Sequence, residues 1–447
     1  MSVVRSLVVS AYLGLCLILG GASNGGFAAN LILQVLALGM LVSAMWHRAD
    51  QSLSRPARRL ALLLVAAVAL VALQFLPLPH ALWELSGGRA RLYAESIMAG
   101  GPPSPLLVAL APYEALASAV WALPALALGV AMLRWRAWQG EHLAWAIVSV
   151  MALSVGLGAA QLAGGPQAAA YFYAITNRDM TVGFFANSNH LASLLLVSLP
   201  FLAALVRNAA RRSGPSRSAV HFAASGFALV AVVGLFANGS LAGYGLVLPV
   251  LLASGLILVP ARVSRRLAPL VLVLAVAGGA ALVLPSEELW PGLGEASTFA
   301  PGGRAVMWET TWRALRDFMP LGSGLGSFPE TYHLYENPVL IEAAMVNHAH
   351  NDYLEVLLEL GVPGGLLILT FLAWWGRRAV QVWRSGSTTP FAWAAMVSTA
   401  TLMAHSIVDY PLRTAGLASV FIACCVIMAG WVKGDGLFLS RQRKPVD

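Results

Sequence analysis

Long, uninterrupted apolar runs dominate this sequence and restrict the folds that are open to it. About 20 apolar residues suffice to cross the hydrocarbon core of a membrane as an α-helix. The chain of 447 residues is 58% hydrophobic and only 11% charged, whereas soluble domains carry about 25% charged residues. In lipid every backbone amide needs an internal partner, so apolar runs of this length predict helices. We therefore expect an all-α polytopic membrane protein, with residues 1–447 forming a single integral domain.

Twelve runs are long and apolar enough to be interpreted as transmembrane helices. They cover residues 5–22, 28–46, 60–78, 114–133, 143–163, 188–206, 219–237, 241–260, 267–285, 353–375, 391–408 and 414–432. The polar stretch between the ninth and tenth runs, residues 286–352, is predicted to be a large loop outside the membrane. Within this loop the apolar residues of 303–318 recur at helical spacing, which predicts an amphipathic helix.

The basic residues predict the orientation of these spans. With the N-terminus inside, 21 of the 28 Lys and Arg residues fall at the inner ends of the spans or in the two termini. Inner loops of membrane proteins are enriched in Lys and Arg, so both termini are predicted to be cytoplasmic. Lys433 and Lys444 are the two lysines of the chain. The absence of a basic stripe with interleaved aromatic residues argues against nucleic-acid binding.

Titratable residues are most concentrated where the outer loop runs into the tenth span. This stretch contains His348, His350, Asp352, Glu355 and Glu359. The three carboxylates are spaced i, i+3 and i+7, so they share one face of a helix. Carboxylates facing lipid are costly, which predicts that this face looks into protein or a wet cavity. A histidine here suits proton abstraction near neutral pH.

Three further outer segments carry polar residues that could join this stretch. They are residues 177–190, the region of Arg304 and Trp308, and residues 405–413. Arginine forks match the geometry of phosphate oxygens, so the arginines of these segments are candidate ligands for a phosphate group. His348, His350 and Asp352 could instead hold a divalent metal ion, but their loose spacing and the nearby arginines favour a site without metal.

The run of residues 348–364, His-Ala-His-Asn-Asp-Tyr-Leu-Glu through Glu-Leu-Gly-Val-Pro-Gly, resembles the signature of the O-antigen ligase and polymerase superfamily of bacterial inner-membrane glycosyltransferases. Residues 178–189, 304–322 and 405–413 resemble further motifs of that family in the same order. The resemblance covers about residues 170–430. The sequence departs from the family at Asn187-Ser188-Asn189, where Asn-Pro-Asn is common, and at residues 238–242, where a Ser-Arg pair is common.

The resemblance implies a donor glycan carried on undecaprenyl pyrophosphate and a reaction at the periplasmic face that needs no cofactor. The acceptor is lipid A–core in ligases and a second lipid-linked repeat unit in polymerases, and we favour the ligase. His350 is the predicted catalytic base, with His348 as the alternative. The predicted pyrophosphate ligands are Arg178, Arg304 and, as a weaker candidate, Arg413. The predicted supporting residues are Asn187, Asn189, Asp352, Glu355 and Asp409.

A multi-span transporter is the alternative from another functional class. Transporters place ionisable residues near the middle of the membrane, where the substrate binds. In this sequence the ionisable residues cluster at the outer ends of the predicted spans instead. That distribution favours chemistry on a lipid-linked substrate at the membrane surface.

Overall fold

The computed structural model describes residues 2–23, 25–46, 52–101, 105–211, 215–283, 303–340, 345–384 and 390–430. Within these ranges the chain is helical, and it forms no strand beyond one isolated bridge between Pro77 and Leu107. The α-helices are α1 Ser2–Leu19, α2 Phe27–Trp46, α3 Arg55–Leu73, α4 His80–Trp83, α5 Gly87–Met98, α6 Pro112–Trp135, α7 Gly140–Gly164, α8 Ser188–Ala209, α9 Pro215–Asn238, α10 Leu241–Leu258, α11 Ala261–Val283, α12 Arg304–Phe318, α13 Phe328–His333, α14 Asp352–Arg384, α15 Pro390–His405 and α16 Ala415–Gly430. Two short 3-10 helices cover Pro338–Leu340 and Pro411–Arg413.

The described part of the chain contains eight helices that are long and apolar enough to cross a membrane. They are α2, α3, α6, α7, α8, α9, α10 and α14. The prediction of an all-helical protein is confirmed for the described residues, and these eight helices support a polytopic membrane protein, but the count of twelve spans and the position of the large outer loop stay predictions. The other four predicted spans fall on α1, α11, α15 and α16. Residues 284–302 of the ninth span and outer loop, and the basic tail after Gly430, lie outside the described residues.

Helix α8 lies at the centre of the bundle. In its most apolar stretch 89% of the residues are buried inside the protein, compared with 11% in the corresponding stretch of α3. Helices α7, α9, α10 and α15 pack around it. Between His190 and Arg207 it carries no charged residue, so its ionisable residues lie at its two ends.

Helix α14 is kinked at Gly361, which separates a short first segment from the long remainder. Gly361 has φ 57° and ψ −145°, in a region that residues with a Cβ rarely adopt. A Cβ there would lie 2.2 Å from the backbone oxygen of Pro320. Val362 N donates a hydrogen bond to the same oxygen at 2.9 Å. The glycine-rich turn 321–326 is therefore pressed against the kink, as expected for a turn that brings backbone close to a neighbour.

Residues of α12, α13 and the first segment of α14 build a second, smaller core, and Leu92 of α5 packs against it. The predicted amphipathic helix is present as α12, and Thr311, Ala314 and Phe318 are among its buried residues. Arg89 of α5 is fully buried, and its Nε and Nη2 donate to Gly322 O at 3.1 and 2.7 Å. Burial lowers the pKa of Arg89 to about 10. This arginine fastens the outer helices to the glycine-rich turn.

Candidate active site

The loop before α14 ends in a strained turn that separates its two histidines. Asn351 caps the helix, because its side-chain oxygen accepts a hydrogen bond from Leu354 N at 3.0 Å. His350 has φ 47°, a left-handed conformation that is uncommon outside glycine. Trp308 Nε1 of α12 donates to Ala349 O at 3.0 Å. Because the chain reverses direction here, His348 and His350 reach different carboxylates.

His348 is held from inside the protein by Glu355. Its Nδ1 lies 2.8 Å from Glu355 Oε1, and Ala349 N donates to Glu355 Oε2 at 2.9 Å. The side chain of His348 is 13% exposed and that of Glu355 only 1%. His348 Nε2 is buried and has no hydrogen-bond partner among the described residues. One carboxylate thus fixes both the imidazole and the backbone beside it.

His350 is paired with Asp409, which comes from the segment between α15 and α16. The His350 Nδ1 atom lies 3.1 Å from Asp409 Oδ1, and Tyr410 N donates to the same oxygen at 2.9 Å. Burial alone would raise the pKa of Asp409, but the hydrogen bond from His350, together with the nearby charge of Arg304, holds that pKa below its usual range. An ionised carboxylate only accepts hydrogen bonds. We infer that Nδ1 of His350 carries the hydrogen, which leaves a lone pair on Nε2.

His350 is more exposed than His348. The side chain of His350 is 24% exposed, whereas the carboxylate of its partner Asp409 is fully buried. Asp409 Oδ2 is also buried and has no hydrogen-bond partner within the described ranges. A substrate can therefore reach the imidazole of His350, while the buried carboxylate of Asp409 orients that ring. This is the arrangement expected of a general base.

Arg413 gathers the three carboxylates that share one face of α14. Its Nη1 and Nη2 each donate to Glu359 Oε2 at 3.0 Å, its Nη1 lies 3.3 Å from Glu355 Oε1, and its Nε lies 3.7 Å from Asp352 Oδ1. Burial by itself lowers the pKa of Arg413, but these carboxylates outweigh it and raise the pKa above the usual value. Ser406 Oγ donates to Asp352 Oδ2 at 2.7 Å. The guanidinium predicted as a weaker pyrophosphate ligand is therefore already occupied by carboxylates.

Tyr410 is the aromatic centre of the site. Its ring centroid lies 4.2 Å from that of His348, 4.8 Å from that of His350 and 5.0 Å from that of His190. Asn187 Nδ2 reaches its hydroxyl at 3.5 Å. The ring keeps three imidazoles apart while joining the loop before α14 to the start of α8.

The segment before α8 is tied together by side-chain amides. Asn187 Oδ1 accepts from Asn189 N at 2.8 Å and so caps α8. Asn177 Oδ1 accepts from Ser188 N at 2.9 Å, a hydrogen bond that a proline at position 188 could not donate. Ser240 Oγ donates to Asn189 Oδ1 at 2.6 Å. Both departures from the family pattern thus take part in one hydrogen-bond network, and Asn189 faces α10 rather than Tyr410.

The two arginines predicted to hold pyrophosphate differ in their surroundings. Arg304, the first residue of α12, is half-buried and near enough to Asp409 to lower its pKa. Its guanidinium has no hydrogen-bond or ion-pair partner in the part of the chain that the structure describes. Arg178 is exposed, donates to Pro166 O at 2.7 Å and lies over the ring of Tyr171 at 5.6 Å. The charge of Arg304 thus acts on Asp409, the partner of His350, whereas no contact joins Arg178 to either histidine within the described residues.

A cavity of about 490 Å³ opens between α12 and α14, beside the cap residue of α14. Its lining residues are Trp308, Glu309, Trp312, Asn351, Tyr353, Leu354 and Leu357. Trp312 is 51% exposed, so part of the apolar face of α12 is open. Pockets with aromatic walls and a few polar groups suit small amphiphilic ligands.

No metal centre is formed by the residues that the structure describes. Among them, no group of three or more His, Cys, Asp or Glu side chains is placed to hold a metal ion. His348 and His350 instead turn to separate carboxylates, and Asp352 bonds to Ser406. The alternative grouping of these residues around one cation is therefore not supported by their geometry.

Some residues of the site were not recognised from the sequence. Gln161 of α7 is buried, and its Oε1 accepts from Val182 N and Gly183 N at 3.0 and 2.9 Å. It thereby shapes the loop that leads to Asn187. A polar residue inside an otherwise apolar span is costly unless it has partners, so Gln161 carried a usable signal. The burial of Arg89 could not be predicted from the sequence, because an arginine in a loop outside the membrane usually lies at the protein surface.

Comparison with known families supports the resemblance. The family model described as O-antigen ligase matches residues 226–369, and this match confirms the resemblance to the O-antigen ligase superfamily that the motifs predicted. The matched segment includes Arg304, His348 and His350, and it ends before Asp409. No curated protein matches this sequence.

Proposed function

We propose, from this match to the O-antigen ligase family, that the protein is a metal-independent glycosyltransferase that moves a glycan from undecaprenyl pyrophosphate to lipid A–core. It would act at the periplasmic face of the bacterial inner membrane, with both termini in the cytoplasm. The observation that carries the proposal is the His350–Asp409 pair, with the unpartnered guanidinium of Arg304 near enough to help lower the pKa of Asp409. Transfer from a pyrophosphate needs a base for the acceptor and a cation for the leaving group, and this site supplies both.

In the proposed reaction the acceptor hydroxyl attacks the anomeric carbon of the donor glycan. The new bond joins the acceptor oxygen to that carbon, and the bond from the carbon to the phosphate oxygen breaks. Nε2 of His350 takes the hydroxyl proton, while undecaprenyl pyrophosphate leaves with the bonding electrons. Asp409 then stabilises the imidazolium, as a carboxylate does for other catalytic histidines. No nucleotide is consumed, since the donor already carries the activated bond.

Arg304 is the main proposed ligand of the leaving pyrophosphate. Negative charge grows on the phosphate oxygens as the bond breaks, and a fixed cation in a partly desolvated site stabilises that charge most. Arg178 is proposed as a second ligand, because the adjacent Asn177 is bonded to the segment that contacts Tyr410. Arg413 would act indirectly, by keeping the carboxylates of α14 paired. The cavity lined by Trp308 and Trp312 is proposed to bind a sugar ring of one substrate.

A polymerase that joins two lipid-linked repeat units would use the same groups and remains the alternative. The two reactions differ only in the acceptor. Purified protein in lipid vesicles would be given one lipid-pyrophosphate glycan with either lipid A–core or no second acceptor. A single addition to lipid A–core, without chain growth in its absence, supports the ligase. A ladder of products that forms without lipid A–core contradicts it and supports the polymerase.

The catalytic role of His350 has its own test. His350→Ala should lower the turnover rate by about 10²–10⁴-fold, the usual contribution of a general base, while donor binding is kept. His333→Ala is the matched control, since His333 is an exposed histidine paired with Glu336 on α13. His350→Asn keeps hydrogen bonding but cannot take the proton. If the asparagine variant is as active as the wild type, His350 is structural and His348 becomes the candidate base.

A further inference from the structure

A second polar site lies at the other end of α14, away from the histidines. Between α3 and the C-terminal half of α14 the structure has a cavity of about 1170 Å³. Its lining residues are Ser54, Arg55, Pro56, Arg59, Leu62, Leu63, Ala66, Thr370, Ala373, Trp374, Arg377, Arg378, Val380, Gln381 and Arg384. We call this set the arginine groove. It shares no residue with the candidate active site.

The position of the arginine groove along α14 suggests which membrane boundary it faces. Arg377 follows Asp352 by 25 positions, which corresponds to about 38 Å along the helix at 1.5 Å per residue. The hydrocarbon core of a bilayer is about 30 Å thick. A helix that begins at the histidine site and crosses the membrane therefore brings Arg377 to the opposite boundary. The indole Nε1 of Trp374 donates to Pro56 O at 3.2 Å, which holds the start of α3 at the same level.

The positive charge of the groove is not balanced by the described residues that line it. No Asp or Glu is among its described lining residues. Four of its arginines are exposed and have no hydrogen bond or ion pair with any described residue, namely Arg55, Arg59, Arg377 and Arg384. The fifth, Arg378, is buried and donates to Gln381 and to the backbone of Met428. The exposed guanidinium groups are therefore available to an anion from outside the protein.

The rest of the groove is mostly apolar. Leu62, Leu63 and Ala66 line it from α3, and Ala373 and Trp374 line it from α14. The charged end and the apolar wall match the two parts of a phospholipid, an anionic headgroup and an acyl chain. A soluble anion would gain nothing from the apolar wall. Arginine is well suited to the headgroup, because its fork matches phosphate oxygens and basic side chains at a membrane surface attract anionic lipids.

We propose that the arginine groove is a binding site for one anionic phospholipid in the leaflet opposite the candidate active site. The headgroup phosphate contacts Arg59 and Arg377, and an acyl chain lies along Leu62 and Ala66. The proposal rests on charge complementarity and on the amphipathic lining of the cavity. It does not depend on the proposed glycosyltransferase activity.

The test uses the full-length protein in nanodiscs of zwitterionic phosphatidylcholine, to which phosphatidylglycerol is added in steps. Lipid retained by the protein is counted by native mass spectrometry, and thermal unfolding is followed in parallel. The wild type should retain one phosphatidylglycerol and unfold at higher temperature as its fraction rises. Arg59→Gln with Arg377→Gln should weaken retention by about tenfold or more, since each basic residue contributes measurably to attraction at an anionic surface.

The matched control is Arg262→Gln with Arg266→Gln. These two exposed arginines lie on α11, outside the groove, and the pair removes the same amount of charge. The control should retain the lipid like the wild type. If both double variants lose the lipid equally, the attraction is a general surface effect and the proposal fails.

Two further measurements distinguish a bound lipid from a bound soluble anion. Inorganic phosphate at the same concentration should not raise the unfolding temperature, and an equal rise would mean that the groove takes a soluble anion instead. Ala66→Trp fills the apolar wall without changing any charge, so it should reduce lipid retention. If Ala66→Trp retains phosphatidylglycerol like the wild type, the lipid does not occupy the groove.

Discussion

At the scale of single residues, the contacts of Asp409 determine how His350 can react. The carboxylate is fully buried, yet its pKa is held low by His350 and by nearby positive charge. It therefore stays ionised over the whole range in which an imidazole titrates, and loss of activity on acidification would report the base rather than Asp409. Glu355 holds His348 in a similar way. The two histidines differ mainly in exposure, which favours His350 as the group that meets a substrate.

Replacing Asp409 by Asn should reveal this role. The amide of the asparagine side chain could place an N–H toward Nδ1 of His350 and so favour the tautomer whose Nε2 is already protonated. We expect Asp409→Asn to lower kcat by about 10²–10⁴-fold while changing the KM for the donor little. Steady-state kinetics in vesicles measure both quantities. Glu336→Gln, which alters the partner of His333 outside the candidate active site, is the control and should leave both unchanged. A variant with full kcat would exclude Asp409 from the mechanism.

Arg304 is expected to act on the donor rather than on the acceptor. Arg304→Ala should weaken donor binding and lower kcat, because the pyrophosphate loses a cation whose effect grows as the bond breaks. Arg304→Lys should restore only part of the activity, since lysine keeps the charge and loses the fork. Arg316→Ala removes an exposed arginine from the same helix and is the matched control. Donor binding and turnover like the wild type in Arg304→Ala would remove this residue from the proposal.

At the scale of elements, the kink of α14 determines the position of the helix face that carries the three carboxylates. The first segment carries Asp352, Glu355 and Glu359, and the glycine-rich turn packs against its end. Gly326 N donates to Glu359 Oε1 at 2.9 Å, and Gly324 N donates to Glu359 O at 2.8 Å. Arg413 reaches the same carboxylate from the other side. A straight helix would move Glu359 away from these partners and leave buried charges unpaired, which is strongly destabilising.

The kink is expected to be sensitive to a single methyl group. Gly361→Ala forces a left-handed conformation on alanine and brings its Cβ against Pro320 O. We expect a loss of at least about 2 kcal/mol in the free energy of unfolding. Gly376→Ala on the same helix is the control, since a Cβ there meets no atom within 4 Å. It should be neutral or stabilise by up to about 1 kcal/mol. Thermal unfolding in detergent distinguishes the two, and equal stability would contradict the role assigned to Gly361.

At the scale of the whole molecule, the proposed function requires the two ends of α14 to lie on opposite sides of the membrane. The histidine site should face the periplasm and the arginine groove the cytoplasm. The three cysteines, Cys16, Cys424 and Cys425, are buried, so an introduced cysteine can be labelled with little background. This gives a direct measurement of the orientation.

Val339→Cys and Val380→Cys place thiols at exposed positions on the two sides, with 88% and 48% of these valines accessible. A membrane-impermeant maleimide added to intact spheroplasts should label Val339→Cys and leave Val380→Cys unlabelled. Permeabilised cells should show labelling of both, which controls for reactivity. Labelling of Val380→Cys alone in intact spheroplasts would reverse the orientation, and the periplasmic site with it.

The membrane class and the polar motifs follow from the sequence because they depend on local pattern. Apolar runs require helices in lipid, and the i, i+3, i+7 spacing of the carboxylates requires a shared face. The amphipathic helix over 303–318 follows from periodicity in the same way, and the tenth predicted span begins at residue 353, one position after the start of α14. The family motifs also identified His348, His350 and Asp409 as candidates. None of these inferences needs a contact between distant parts of the chain.

Only the tertiary structure decides which of these residues meet. His350 pairs with Asp409, 59 positions away, and Arg413 pairs with Glu359, 54 positions away. Several carboxylates and arginines were available to each partner, and the choice depends on the turn at His350 and the kink at Gly361. Local spacing does not encode those backbone angles, because they are stabilised by packing against Trp308 and Pro320 from other segments. The sequence by itself thus determined the apolar helices and several candidate residues of the site, and long-range packing determined which carboxylate pairs with each histidine.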